Sequence, residues 1–192
     1  MCGIIGVFNV AEASKFAALG LHNLQHRGQE GAGMISKSDE FHFHTDFGRV
    51  HDIFGDNKVI DKLPGDMAIG HVRYSTSGGG EETRFIQPQV CCNIMEPFAL
   101  VHNGNIVNVD KLRLELSTRN LRHLKTSSDS EIILNVFAHA LQERNKSNLS
   151  KEDIFYAVNE VHKRVQGAYS VIIMLLGYGL IAFRDPHGIR PL

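Results

Sequence analysis

MCGIIGVFNV (residues 1–10) is the stretch on which the reading of this chain turns. Within it IIGVFN (4–9) is a short, apolar, β-branched run closed by Asn, the pattern of a buried strand. The chain therefore opens on a core strand, with Cys2 at its leading end and Gly3 leaving the neighbourhood of the thiol uncrowded. One account makes Cys2 a small apolar filler. The other makes it a nucleophile, because Cys is small enough for an aminopeptidase to remove Met1. The thiol then shares its residue with an α-amino group of unperturbed pKa about 7.7–8.0. Near neutral pH that amine can take the thiol proton, so a single residue supplies nucleophile and base.

Outward from this strand, Phe16, Leu19, Gly20 and Leu24 recur near helical spacing and predict a helix over 11–24. QHRGQEGAG (25–33) reads as a Gly-rich loop leading into a strand, AGMIS (32–36). EFHFHTDF (40–47) alternates, with Phe41 and Phe43 on one face and His42 and His44 on the other. DMAIGHVRY (66–74) is a further strand, and STSGGGEETRFIQPQ (75–89) a long loop. VCCNIM (90–95) and PFALVHNG (97–104) read as paired strands about a Glu-Pro turn. VDKLRLELS (109–117), SDSEIILNVFAHALQ (128–142) and KEDIFYAVNEVHKRV (151–165) predict three helices. Capping boxes are expected at Ser128-x-x-Glu131 and Ser150-x-x-Asp153. AYSVIIMLL (168–176) and LIAFRD (180–185) form a hairpin through Gly177-Tyr178-Gly179. Strands at both ends with helices between them indicate an α+β layered domain.

Composition narrows the functional classes. The 192 residues, 43% hydrophobic and 21% charged, suit one soluble domain. A net charge of −1 gives no sustained attraction to nucleic acid or anionic lipid, so neither is expected as a partner. The longest apolar run, SVIIMLLG (170–177), is far short of the roughly 18 residues a membrane span needs. No basic and apolar leader precedes the first strand. Three cysteines (Cys2, Cys91, Cys92) fit free thiols in a reducing, cytoplasmic setting. Cys91 and Cys92, flanked by apolar residues, are expected to pack in the core. The chain stops at RDPHGIRPL (184–192) with no polar tail, which reads as a cut.

Four stretches carry possible chemistry. In HVRYST (71–76) Arg73 ends an apolar strand, either as a surface cation or as a bidentate fork for a carboxylate. In HNGNI (102–106) Asn103-Gly104 is either a tight turn or a pair of donors converging on an oxyanion. Asp129 in TSSDSE (126–131) either complements a helix dipole or holds a substrate ammonium. Arg27 and Gly28 in LQHRGQE (24–30) either line a pocket or form a helix end. His42, His44 and His51 raise the question of zinc, but no cysteine or acid completes a four-ligand set, and no metal is expected.

Taken in order, the MCGI opening, LQHRGQE, HVRYST, IQP (86–88), HNGNI, TSSDSE, GAYS (167–170) and RDPHGIRPL resemble the class II glutamine amidotransferases. These are N-terminal-nucleophile (Ntn) hydrolases. The resemblance spans the whole chain and implies a four-layer αββα sandwich of two antiparallel sheets. It implies L-glutamine as substrate, Cys2 as nucleophile, and Asn103 and Gly104 as oxyanion donors. It also implies Arg73 on the substrate carboxylate and Asp129 on its ammonium, with Arg27, Gly28, Tyr74 and Thr76 shaping the pocket. Ser75 and Ser77 stand where relatives often carry Ala or another small residue. LQHRGQE, HNGNI followed by Asn108, TSSDSE and RDPHGIRPL point to the branch joined to a phosphoribosyltransferase domain that opens purine biosynthesis.

That second domain's paired-acid, apolar, Gly-Thr run does not follow Asp39-Glu40, Glu81-Glu82 or Glu152-Asp153, so the transferase half is expected to be absent from this chain. The resemblance implies no cofactor for the glutaminase domain, magnesium for the missing half, and a homo-oligomer at full length. A glutaminase domain of another class II synthase and a non-catalytic glutamine-sensing module are the alternatives.

Overall fold

The unbroken apolar run at 171–175 has no polar face because both faces of its strand are covered. The structure, a computed structural model, describes residues 2–74, 85–92 and 97–192. The elements run β1 (Gly3–Phe8), α1 (Ala13–Asn23), a single 3-10 turn (Gln25–Arg27), β2 (Gly31–Lys37), β3 (Phe41–Phe47), α2 (Val50–Phe54), α3 (Asn57–Ile60) and β4 (Met67–Arg73). There follow β5 (Gln89–Cys91), β6 (Phe98–Ile106), α4 (Val109–Thr118), α5 (Asp129–Glu143), α6 (Lys151–Arg164), β7 (Gly167–Leu175) and β8 (Gly179–Arg184). One antiparallel sheet has the order β1-β4-β2-β3, the other β5-β6-β7-β8.

Side-chain parity along the strands separates the layers. On β6 Phe98 and Leu100 join Val171, Ile173 and Leu175 of β7 beneath α4, α5 and α6. Ala99 and Val101 instead meet Ile172 and Met174 of β7 and Ile35, Met67 and Ile69 of the other sheet. On the far side Ala32, Met34, Ala68 and Val72 pack against α1, α2 and α3. The order helix, sheet, sheet, helix is the four-layer αββα sandwich. Among the described residues, no helix is long and apolar enough to cross a membrane.

Several local expectations are corrected. Phe16 and Leu19 of α1 are 52% and 63% exposed; the buried stripe is Ala13, Ser14, Ala17 and Leu21. Small residues win that face because the helix lies almost on the sheet: a Cβ on Gly20 would sit on the side chain of Ile5. Gly3 is likewise no open space, since its Cβ would lie 2.9 Å from Val72 and 3.0 Å from Leu24. Cys91 is partly buried and touches the α4–α6 core, but Cys92 is exposed at the end of an edge strand. Ser150 and Asp153 form the expected capping box. Ser128 caps α5 through the Ser130 N–H, but Glu131 does not close a box with it. The Glu131 carboxylate instead accepts from the Lys125 and Thr126 N–H groups and the Thr126 hydroxyl, binding the preceding loop. Helices α2 and α3 answer to no sequence expectation, being one turn each and too short for periodicity. The Glu-Pro turn falls partly, and the long loop at 75–89 mostly, outside the described residues.

Candidate active site

Cys2 precedes β1 at one end of the sandwich. Gly3 pairs with Val72, so the cysteine lies beside the end of β4, where Arg73 stands. Its Sγ lies 3.7 Å from the Tyr74 carbonyl oxygen as donor. Burial pushes the Cys2 thiol up and Asp129 adds to this, while a hydrogen bond with the Tyr74 backbone, the chain's amino terminus and Arg73 pull it down. Two conclusions follow. The thiol is predominantly protonated near neutral pH and needs a base before it can attack. The opposite charges of Arg73 and Asp129 both act at this sulfur, although 55 residues separate them in sequence and they lie in different layers.

Asn103-Gly104 does not form a turn. Both residues lie inside β6, paired with Ser170 and Tyr169 of β7. Odd-numbered positions of β6 face the space between the sheets, which brings the Asn103 side chain to Cys2. In the orientation its neighbours' polarity requires, the Asn103 amide nitrogen donates to the Cys2 carbonyl oxygen at 3.1 Å. Its oxygen accepts from Arg27 Nη2 at 3.2 Å. Arg27 Nε donates to the same Cys2 carbonyl at 3.0 Å. Arg27 thus ties the Cys2 backbone to Asn103, and the second amide hydrogen of Asn103 remains for another acceptor. Gly104 approaches β7 so closely that a Cβ would lie 2.1 Å from the Ala168 carbonyl oxygen.

Arg73 is 9% exposed, and its Nη1 has no hydrogen-bond partner among the described residues. A buried guanidinium nitrogen without an acceptor is costly, and a substrate carboxylate would satisfy it. The Phe85 ring lies 5.7 Å from its Cζ. Gly28 acts by being small: a Cβ there would fall 2.5 Å from the Arg73 carbonyl oxygen. Asp129, first residue of α5, is one-quarter exposed and lies 3.7 Å from His102 Nδ1, which is 3.0 Å from Ser130 Oγ. The Tyr74 ring is half exposed, so only its carbonyl is seen to engage Cys2. Thr76 lies outside the described residues.

The sequence reading missed four residues near this site. Gln87 binds the backbone of His102. Asp185 accepts from the N–H groups of Tyr169, His187, Ile189 and Arg190, folding the RDPHGIRPL segment against β7 opposite Gly104. Ser170, across from Asn103, holds the Pro191 carbonyl. His71, between the sheets two residues before Arg73, has neither ring nitrogen paired among the described residues. All four lie in stretches quoted for the resemblance (IQP, RDPHGIRPL, GAYS and HVRYST), but nothing in the sequence assigned them these contacts.

Burial, reinforced by His102 and Arg73, pulls His71 down to about 3. The unfolded imidazole titrates near 6.5. The unfolded chain therefore binds more protons between these values, and stability should fall on acidification at up to about 1.4 kcal/mol per pH unit. His71→Gln is expected to flatten the decline. Urea unfolding across this window would check it, and an unchanged slope would place the titration elsewhere.

Among the described residues, no group of His, Cys, Asp and Glu is arranged to hold a metal ion. Residues 71–192 match a family described as a glutamine amidotransferase domain. The whole chain is 42% identical to the amidophosphoribosyltransferase of Pseudomonas aeruginosa and 40% identical to that of Escherichia coli, covering 38% of each. Among solved structures it resembles a glutamine phosphoribosylpyrophosphate amidotransferase of Bacillus subtilis complexed with ADP and GMP. There the TM-score is 0.78 and the identity 30%, over 99% of this chain and 38% of that one. A second, described as the allosteric regulatory enzyme of purine biosynthesis, gives a TM-score of 0.80 at 32% identity over the same shares. The chain thus spans about two-fifths of the length of these relatives.

Proposed function

The chain belongs to the glutamine amidotransferase domain family, and from that premise we propose that it hydrolyses L-glutamine to glutamate and ammonia through a thioester on Cys2. The observation that carries this reading is the Cys2–Arg27–Asn103 cluster, in which the nucleophile's carbonyl is held by both partners at 3.0–3.1 Å. Glutamine is a zwitterion, and its two charged groups meet opposite charges: Arg73 takes the α-carboxylate and Asp129 the α-ammonium. This leaves the side-chain amide directed at Cys2.

Removal of Met1 exposes the Cys2 amine, which takes the thiol proton. The thiolate then adds to the amide carbonyl. Negative charge gathers on the former carbonyl oxygen, where the free Asn103 amide hydrogen and the Gly104 N–H stabilise it. The protonated amine returns its proton to the departing nitrogen, the C–N bond breaks, and ammonia leaves. Water, deprotonated by the same amine, adds to the thioester, and collapse releases glutamate and restores the thiol.

At full length, the ammonia would convert phosphoribosyl pyrophosphate to phosphoribosylamine in a magnesium-dependent phosphoribosyltransferase domain. That assignment rests on relatives of which this chain covers 38%. A cytoplasmic homo-oligomer accords with it. The test is glutamate release from glutamine by purified residues 1–192. Slow turnover, insensitive to phosphoribosyl pyrophosphate, is the expected result; no turnover from chain lacking Met1 would overturn the reading.

A further inference from the structure

Strand β6 is paired with β7 along its whole length, but on its other side β5 reaches only Phe98–Leu100. Beyond that point the edge of β6 is open among the described residues. The next backbone groups facing it belong to His102, a residue only 2% exposed. Buried backbone N–H and C=O groups need partners. Here a side chain supplies both: the His102 N–H donates to Gln87 Oε1 at 2.6 Å, and Gln87 Nε2 donates to the His102 carbonyl at 3.3 Å. One primary amide thus does for His102 what a neighbouring strand would do.

Gln87 is itself fixed in place. It is 7% exposed, and its own carbonyl rests against Gly33 of β2, where a Cβ would lie 2.0 Å from that oxygen. The residue therefore spans the two sheets, gripping one through its backbone contact and the other through its side chain. Two residues earlier, Phe85 lies against Arg73.

Successive residues of an antiparallel strand turn their backbone groups to alternate neighbours. His102 faces the open edge, so Asn103 faces Ser170 on β7, and Gly104 faces the open edge again. The Gly104 N–H is then the first edge donor beyond the reach of Gln87. We propose that Gln87 is a positioning residue for the oxyanion pair: it ends the pairing of the β6 edge at His102, fixes the strand one residue before Asn103, and leaves the Gly104 N–H for the substrate carbonyl. This rests on the glutaminase reading above and adds a residue to it. Without Gln87 the buried His102 groups must find water or drag the strand toward another partner, and either outcome moves the Gly104 N–H.

The test uses Gln87→Met, which keeps the volume and removes both hydrogen bonds. Gln87→Glu, which sets a carboxylate against the His102 carbonyl, provides the second variant should the first not fold. Glutamine hydrolysis is measured in each, alone and combined with Asn103→Ala. A positioning role predicts that kcat falls about 10- to 100-fold with KM little changed. It also predicts that the loss differs when Asn103 is already Ala, because both changes act on one oxyanion pocket and should not add. A general loosening would instead raise KM and cost the same in both backgrounds, and that result would overturn the proposal, as would normal kcat in the folded variants. Absence of glutamine hydrolysis in the unaltered chain lacking Met1 would instead overturn the glutaminase reading, so the two failures are distinguishable.

Discussion

Cys2→Ser is expected to reduce glutamine hydrolysis by at least about 10³-fold, the scale on which removal of a covalent nucleophile is felt. The double variant Cys91→Ala/Cys92→Ala should retain it. The base available to Cys2 is weak, an α-amine, and burial already pushes the thiol upward. A serine hydroxyl is a far weaker acid than a thiol, so the same amine could not ionise it to any useful extent. Cys91 is also raised by burial, but it packs beneath α4–α6 on the other sheet, and Cys92 is exposed. Neither belongs to the Cys2–Arg27–Asn103 cluster. Mass spectrometry of the intact protein should show Cys2 as the first residue, because a retained Met1 would carry the amine away from the sulfur. An electrophilic glutamine analogue that labelled Cys91 or Cys92 in place of Cys2 would defeat this assignment.

What the sequence disclosed about this site, and what it concealed, follows from where the information lies. The strands and the three long helices were legible because burial on two faces leaves continuous apolar runs, and burial on one face leaves a stripe. The buried face of α1 was misread because close helix–sheet packing selects Ala, Ser and Gly, which carry little hydropathy, and leaves Phe16 and Leu19 outside. The candidate site residues could be named as types at spacings, chiefly through the resemblance. Their connections were not. Asn103-Gly104 has the composition of a turn, yet β7 pairs with it and makes it strand. Arg27 bridges Cys2 to Asn103 across the two sheets, and Gln87 replaces a missing strand beside His102. Such long-range polar contacts leave no local period, so only the folded chain reveals them.

The second large effect should separate recognition from chemistry. Asn103→Ala is expected to lower kcat by about 10²–10³-fold with little change in KM. Arg73→Ala and Asp129→Ala should instead raise KM far more than they lower kcat. The reason is where charge changes during the reaction. In the proposed reaction the α-carboxylate and α-ammonium of glutamine keep their charges from the bound state to the tetrahedral intermediate, so Arg73 and Asp129 would stabilise both states equally. The oxygen facing Asn103 and Gly104 is neutral in the bound amide and becomes anionic only in the tetrahedral state, so a donor lost there appears in kcat. Asn103 also contacts the Cys2 carbonyl, but Arg27 Nε donates to that oxygen at 3.0 Å, so Cys2 keeps a tether in Asn103→Ala. Ser128, not Asp129, caps α5, which limits the cost of Asp129→Ala to the dipole contribution of about 0.3–1 kcal/mol. The Asp129→Ala protein should therefore remain folded, and its KM can be read without ambiguity. Equal rises in KM for all three variants would mean that Asn103 contacts the ground-state substrate as strongly as the tetrahedral one, and the oxyanion role would then have to pass to Gly104 alone.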